Sequence, residues 1–318
     1  MTAGGAKHLT VYAGQQSQEI DGVVDLLRAG GWSLTRHNIS EYPERYFVSY
    51  SAESKVSRGA HWLHSVPPFS TASSLTGLER EVSLRECIAF WEGVWKDVPT
   101  SRWLNTPASI SAASNKLFQL KLATRLGINV PQWLVSNSSD AIAEFAAAHG
   151  DVVLKSLSSG FIPYGAESFK FYTRRATPAL LDRLSGANLS PVIVQNRVHK
   201  RYEVRATIVA NEVYCSALDY EKIPDVTDYR ELDLRAHREA FAKCPVSLAD
   251  QVADASRKIA AEYGLRFAGL DWVVDLAGTP HFLEINPLPS FKWYELCGAG
   301  DISGALARAL MEINRENE

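Results

Sequence analysis

Three consecutive pieces decide the reading of this chain: Gly269-Leu270-Asp271-Trp272-Val273-Val274-Asp275, the turn Leu276-Ala277-Gly278-Thr279, and Pro280-His281-Phe282-Leu283-Glu284-Ile285-Asn286-Pro287. Apolar, β-branched and aromatic runs on either side of a glycine turn predict strands Phe267–Val274 and Pro280–Asn286 joined as a hairpin. A turn centred between Ala277 and Gly278 sets Asp271 directly opposite Glu284. Asn286, two residues on, then shares the sheet face of Glu284. Carboxylates placed opposite each other repel unless something offsets their charge. A hard divalent cation would do so, taking oxygens from Asp271, Glu284 and Asn286 and completing its shell with phosphate oxygens. The other reading is a solvent-facing hairpin with incidental acids. A one-residue slip would part the pair, so the metal reading depends on the turn.

Basic residues lie upstream of this acidic hairpin. Lys155 ends the apolar run Val152-Val153-Leu154, just before the small residues Ser158-Ser159-Gly160. Small residues let backbone N–H groups approach a phosphate closely. Lys116 falls in the first turn of a predicted helix, where the macrodipole disfavours a cation and favours an anion beside it. In Arg201-Tyr202-Glu203-Val204-Arg205-Ala206-Thr207, Glu203, Arg205 and Thr207 share one strand face. An arginine fixed on a strand can hold a phosphoryl group or an acyl phosphate bidentately. A surface Glu203–Arg205 pair is the alternative, and would contribute little. No glycine loop ending in Gly-Lys-Ser/Thr is present, so a P-loop protein is not expected.

Working outward, helices are predicted at Ser114–Leu126, Asp140–His149, Pro178–Leu184, Leu248–Tyr263 (with Ser247 as its cap) and Ile302–Asn314. Strands are predicted at Gln132–Val135, Asp151–Lys155, Phe169–Tyr172, Val192–Gln195, Tyr202–Val209 and Val213–Leu218. Ser156–Glu167 reads as a loop, and Asp219–Arg235 as a polar connection. Nearer the N-terminus, strand Leu9–Ala13, helix Glu19–Ala29 and strand Trp32–Ile39 form an α/β opening. Glu41–Gly77 has no sustained period and reads as short strands and loops. A helix over Leu78–Trp95 follows, with Leu84, Ile88, Trp91 and Trp95 on one face, and Pro99 and Pro107 mark a boundary.

The 318 residues are 46% hydrophobic and 22% charged, with 33 basic and 36 acidic side chains and a net charge of -3. This length allows about two domains. The balance excludes a uniformly basic nucleic-acid binder, and no nucleic-acid partner is expected. No stretch approaches the ~20 apolar residues of a membrane helix, and Met1–Leu9 carries no signal-peptide core, so no membrane partner is expected. The scattered Cys87, Cys215, Cys244 and Cys297 have no zinc spacing and read as reduced thiols in a cytoplasmic setting. The eight histidines, including His199 and His281 near the motifs, are assigned no catalytic role.

The ordered set Lys116, Val153-Leu154-Lys155, Val194-Gln195-Asn196, Glu203-Val204-Arg205, Gly269-Leu270-Asp271 and Phe282-Leu283-Glu284-Ile285-Asn286-Pro287 resembles the ATP-grasp ligase superfamily over about Trp103 to Asn314. The resemblance implies an ATP-grasp fold, two α+β lobes gripping ATP, preceded by a small α/β domain. The division it implies is 1–105 for the leading domain, 106–190 for the lobe with the nucleotide lysines and 191–318 for the lobe with the metal site. Lys116, Lys155, Gln195, Asn196, Val198, Glu203 and Arg205 would contact the nucleotide. Arg205, Lys155 and Arg230 would carry catalysis. Asp271, Glu284 and Asn286 would hold one or two Mg2+ ions.

Within that superfamily the chain looks most like the microviridin-type, or graspetide, peptide maturases. Trp103-Leu104-Asn105-Thr106-Pro107, Asn115-Lys116-x-x-Gln119-Leu120, Gly127-Ile128-x-x-Pro131, Asp228-Tyr229-Arg230 and Gly298 to Ala305 carry this likeness. That branch joins acidic side chains of a ribosomal peptide to hydroxyl or amino side chains, as macrocyclic esters or amides. A precursor peptide with a leader, and a homodimer, are implied by resemblance only. Two segments depart from the pattern, Leu63-His64-Ser65-Val66-Pro67 and Leu288 to Glu295, and they bear on the substrate rather than on the ATP chemistry. Asp228 and Arg230 would contact the acceptor or the phosphate, or else form a loop salt bridge. Two other readings stand beside the peptide ligase. One is a ligase of free amino acids or small acids, or of glutamate onto a protein tail. The other is a nucleotide-binding module without catalysis.

Overall fold

The computed structural model describes residues 7–14, 17, 19–45, 47–65, 75–158, 161–164, 167–183, 190–233 and 238–317. The chain opens with β1 (His8–Ala13), α1 (Glu19–Ala29), β2 (Ser33–Asn38), β3 (Ala60–Leu63) and α2 (Gly77–Lys96). The three strands form a parallel sheet in the order β2-β1-β3. Helix α1 buries Ile20, Val23, Val24 and Leu27 as one stripe, carries Glu19 and Asp21 in its first turn and Arg28 in its last, and so suits its own macrodipole. Gly31, at φ 80°, then turns the chain in a conformation that glycine adopts without strain. On α2 the buried residues are Cys87, Trp91 and Trp95. The predicted face placed Ile88 among them, but Ile88 is exposed, because the stripe steps through Cys87, one position earlier.

The helix predicted at Ser114–Leu126 is α4 (Lys116–Arg125), and a further short helix that the sequence reading did not include, α3 (Pro107–Ala113), precedes it. Each is capped by a side chain: Ser109 N donates to Thr106 Oγ1 and Phe118 N to Asn115 Oδ1, both at 3.0 Å. Pro107 therefore opens a helix at its first position, where its missing N–H has no consequence. Beyond these helices come β4 (Trp133–Ser136), α5 (Ser139–His149), β5 (Val152–Lys155), β6 (Phe161–Tyr164), β7 (Glu167–Lys170), β8 (Arg174–Arg175), α6 (Pro178–Arg183) and β9 (Val192–Asn196). The sheet runs β4-β9-β5-β8, and β6 pairs with β7 as a separate hairpin. The predicted Ser156–Glu167 loop thus contains a strand. Ser159-Gly160 of the proposed phosphate loop, and Val66-Pro67, lie outside the described residues.

The last part holds β10 (Lys200–Val209), β11 (Glu212–Asp219), β12 (Phe241–Lys243), α7 (Val246–Glu262), β13 (Phe267–Asp275), β14 (Pro280–Asn286), the one-turn helix α8 (Lys292–Tyr294) and α9 (Ile302–Glu316). An antiparallel sheet runs β12-β11-β10-β13-β14. Helix α7 begins after Pro245 with no side-chain cap, so Ser247 lies inside it and does not cap it. One core face of this sheet packs Val204, Ala206, Leu270, Trp272 and Phe282 against Val252 and Ile259 of α7. Helix α9 returns to the first sheet, where Ile302, Leu306, Leu310 and Ile313 share a core with Leu9, Val11, Val23 and Trp62. The four cysteines are buried and unbridged. Among the described residues no helix is long and apolar enough to cross a membrane.

Candidate active site

Strand β14 lies at a sheet edge, and its outer backbone groups are satisfied by α4 and the chain after it. Gln119 Nε2 donates to Ile285 O at 2.9 Å, and Ile285 N donates to Gln119 Oε1 at 3.1 Å. Phe282 N donates to Asn129 O at 2.8 Å. One buried amide thus replaces a missing strand neighbour and docks α4 so that Lys116 Nζ stands 3.0 Å from Glu284 Oε2. The anion beside the helix-start lysine is therefore Glu284.

The hairpin register contains an irregularity absent from the sequence reading. Near the turn Val274 faces Pro280, Val273 faces His281 and Trp272 faces Phe282, but Asp271 faces Glu284. The turn is thus centred on Ala277, and Leu283 is an extra residue in β14. This β-bulge restores the Asp271–Glu284 pair that a regular ladder from this turn would have lost. It also puts two successive side chains, Leu283 and Glu284, on the wall of one cavity, with Asn286 beyond them.

That cavity, of about 200 Å3, is lined by all eleven sequence-predicted site residues. Lys116, Asp271, Glu284 and Asn286 come from one side, Lys155, Gln195 and Asn196 from the β5–β9 sheet, and Val198 from the connection after β9. Glu203 and Arg205 lie on β10, and Arg230 on the connection after β11. His199 is not among the lining residues. His281 instead sits 3.0 Å from Asp275 Oδ2, and Asp275 also accepts from Ala277 N and Thr279 N to brace the hairpin turn.

Arg205 stands across the ladder from Asp271, with its Nε 2.9 Å from Asp271 Oδ1. Burial lowers the tendency of Arg205 to stay charged, but Asp271, Tyr294 and Tyr229 together more than offset this and hold it cationic. Burial, reinforced by neighbouring Glu284, pushes the Asp271 carboxyl up to about 6 despite Arg205. Glu284 goes the other way: burial pushes it up, but Lys116, Lys155 and Arg230 more than offset this and hold it below the usual carboxylate range. Burial brings Lys155 down to about 8, and Lys200 and Lys116 push the same way.

The alternative reading of a Glu203–Arg205 surface pair is not what forms. Glu203 Oε1 instead accepts from Lys200 Nζ and from the Tyr220 hydroxyl, both at 2.5 Å. Lys200 lines the cavity and was missed in the sequence, because strict alternation sends it to the face opposite Glu203. A register shift between Lys200 and Tyr202 brings it round. Asp228 and Arg230 do form a salt bridge, within the cavity wall. Arg230 Nε and Nη2 reach Asp228 Oδ1 and Oδ2 at 2.8 and 2.6 Å, and Asp228 also accepts from Thr173 N at 3.0 Å. The buried carboxylate is fully occupied and orients the arginine. Tyr229 lies inside the quoted Asp228-Tyr229-Arg230 motif, yet its place in the wall could be found only from the fold.

The donor set fits a nucleoside triphosphate. Gln195 Nε2 and Arg205 Nη1 are buried without a hydrogen-bond partner, and unpaired buried donors are costly unless a ligand satisfies them. Lys116, Lys155, Lys200, Arg205 and Arg230 surround the space, as a polyphosphate requires. Among the described residues no group of three or more His, Cys, Asp or Glu side chains could hold a metal ion. Magnesium needs only one or two carboxylates when phosphates and water supply its remaining ligands, so Asp271 and Glu284 with the Asn286 amide fit that ion.

The fold is shared with solved peptide ligases over nearly the whole chain. Macrocyclase MdnC from Microcystis aeruginosa MRC, bound with precursor peptide MdnA, is similar with a TM-score of 0.80 at 22% identity, over 96% of this chain and 99% of that one. ATP-grasp ligase PsnB, complexed with a minimal precursor, gives a TM-score of 0.77 at 25% identity over 96% and 98%. A RiPP-associated ATP-grasp ligase from Chryseobacterium gregarium, in complex with ADP and a leader and core peptide, gives 0.82 at 19% over 96% and 97%. In sequence the chain is 27% identical over 206 residues to the ribosomal protein bS6–L-glutamate ligase of Salmonella newport (strain SL254), spanning 64% of this chain and 65% of that protein's length. Residues 115–286, from the N-cap of α4 to the last residue of β14, match the family described as prokaryotic glutathione synthetase, ATP-grasp domain. That stretch is more than half of the 318 residues and brings together the two lysines, Arg205 and the acidic hairpin, and the chain belongs to that ATP-grasp family.

Proposed function

We propose that this protein is an ATP-dependent ligase that activates a carboxylate as an acyl phosphate and joins it to a hydroxyl or amine. The observation that carries this reading is a single cavity with six cationic side chains around two adjacent carboxylates, Asp271 and Glu284. It contains donors and charges for a polyphosphate. In this reading Gln195, Asn196 and Val198 border the base, Lys116 and Lys155 bind phosphates with Glu203 and Lys200 beside them, and Arg205, Lys155 and Arg230 meet the transferring group. A substrate carboxylate oxygen attacks the γ-phosphorus, the bond to the bridging oxygen breaks, and ADP leaves. The acceptor oxygen or nitrogen then attacks the acyl carbon, loses its proton and expels phosphate. The protein contributes positioning and charge neutralisation. One or two magnesium ions, held by Asp271, Glu284 and Asn286, would supply further neutralisation of phosphate charge.

For the substrate, we favour acidic side chains of a ribosomal peptide, joined to Ser, Thr or Lys side chains. Support comes from the similarity to the peptide-bound ligases, which extends through the leading α/β unit, 96% of this chain in each case. The likeness to the bS6–glutamate ligases, over 64% of the chain, supports glutamate transfer to a protein tail as the second reading. The domain division 1–105, 106–190 and 191–318 belongs to the same proposal, as does a homodimer. Mass spectrometry after incubation with ATP and candidate substrates tests the choice. Loss of one water per bond within an acidic, hydroxyl-rich peptide supports the first reading. Products only with free amino acids or a glutamate-accepting tail would reject it, and ADP formation with none of these would leave no ground for either.

A further inference from the structure

A second, smaller cavity adjoins the first at Arg205. Its polar lining is Glu203, Arg205, Asp271, Tyr229, Tyr294 and Ser216, with apolar side chains between them. Arg205 reaches its place between two walls. On one side its guanidinium carbon lies 4.8 Å from the ring centroid of Tyr294, and its Nη2 donates to the Tyr294 hydroxyl at 3.3 Å. On the other, Gly269 leaves the space the guanidinium occupies. A β-carbon at Gly269 would overlap Arg205 Nη1 and stand 2.8 Å from the Pro289 Cβ. The Tyr294 hydroxyl is in turn 3.0 Å from that of Tyr229.

This slot fixes the plane of the arginine but leaves donors over. Nε faces Asp271 as a close ion pair without hydrogen-bond alignment, and Nη1 has no partner. An arginine whose role was only structural would be expected to pair these donors. Tyr294 itself is anchored. It is 8% exposed and packs in the core that joins the first sheet to α9. Its helix α8 follows the acidic hairpin after a short connection, so the ring is set relative to Asp271 and Glu284.

We propose that Tyr294 is a positioning residue that holds the Arg205 guanidinium in the orientation in which its unpaired donors meet the transferring phosphoryl group. The inference rests on the ATP-dependent ligase reading and assigns that reading a residue outside the lining of the larger cavity. Misplacement of a catalytic group by about 1 Å costs on the order of a hundredfold in rate. Tyr294→Leu, which removes both ring and hydroxyl, should lower kcat for ADP formation by about 10- to 100-fold and leave KM for ATP within about twofold. Tyr294→Phe, which keeps the ring, should fall between that variant and the wild type.

Crystal structures of both variants give a readout that does not depend on activity. Arg205 should be displaced or disordered in Tyr294→Leu and nearly unmoved in Tyr294→Phe. An unmoved Arg205 in the leucine variant overturns the proposal whatever the enzyme does. So does an unchanged kcat in that variant, or a phenylalanine variant that loses as much activity and melting temperature as the leucine one. A wild-type protein without ATP turnover, but with Arg205 displaced in Tyr294→Leu, would reject the ligase reading while leaving the slot intact.

Discussion

Glu284 faces Asp271 across the β13–β14 ladder because Leu283 is one residue more than a regular strand would hold. The bulge re-aims the end of β14, so that Glu284 and Asn286 line the cavity and Ile285 enters the core beneath the sheet. Without it, alternation from the Trp272–Phe282 pair would send Glu284 toward the apolar face and Ile285 toward the cations.

Replacement of Glu284 with Gln keeps the side-chain shape and removes the charge. Lys116, 3.0 Å away, loses its counter-ion, and the proposed magnesium position loses one of its two carboxylates. ADP formation should fall by about a hundredfold or more, with a raised magnesium requirement in a titration of rate against metal. Wild-type turnover at low magnesium in this variant would reject the metal assignment.

In the proposed nucleotide site Lys155 would trade stability for ligand binding. Its burial brings the ammonium down to about 8 from the usual lysine value, so folding disfavours the charged form. Below pH 8 the charge is present in both folded and unfolded chains and the burial cost is felt in full. As pH rises above 8 the folded-state group deprotonates and the cost is relieved. Lys155→Met should therefore raise the melting temperature of the ligand-free protein at pH 7 and abolish the further rise that ATP produces. At pH 8 ATP should bind to the wild type with proton uptake, read from calorimetry in buffers of different ionisation enthalpy. A destabilised methionine variant that ATP still protects would contradict both points.

Three histidines in the leading unit are held neutral. Burial lowers His37, His61 and His64 to about 4. His61 is satisfied in the neutral form, with Nε2 3.2 Å from Ser57 O and Nδ1 3.2 Å from the Tyr12 hydroxyl. Because the folded-state values lie below the unfolded ones, their contribution is complete above about pH 6.5 and is lost as pH falls toward 4. Each histidine can account for about 1 to 3 kcal/mol over that window. Denaturant melts between pH 7 and 4 should show the loss, and His61→Gln should flatten it. An equally steep profile in that variant would remove His61 from the explanation.

Gln119 holds helix α4 to the acidic strand. Gln119→Leu leaves Ile285 N and O, both inside the fold, without their partners. Each unsatisfied buried group costs about 1 to 3 kcal/mol, so stability should drop by about 2 to 5 kcal/mol in urea unfolding. Nucleotide affinity should fall as Lys116 loses its place. A variant with wild-type stability would show that β14 finds other partners.

Much of the cavity was legible because its residues sit in short regular strands. Period-2 alternation puts Glu203 and Arg205 on one face whatever the rest of the chain does, and it places the end of β5 at Lys155. Legibility failed where a ladder is irregular. The shift between Lys200 and Tyr202 hid a third lysine, and the bulge at Leu283 put the turn centre on Ala277 while leaving the Asp271–Glu284 pair intact. It also failed for the short helix α3, which Thr106 caps and Pro107 opens, because Pro107 read only as a boundary.

The order of a few charged residues along the chain determined the family and the cast of the site, because strand alternation and helix caps are local properties of the sequence. Only the tertiary structure decided which of those residues share a cavity and how each is held. Gln119 reaches Ile285, and Asn105 binds Phe267 N and O and Pro287 O, across more than 160 residues. Contacts of that range depend on how the sheets and helices pack, and no local period records them.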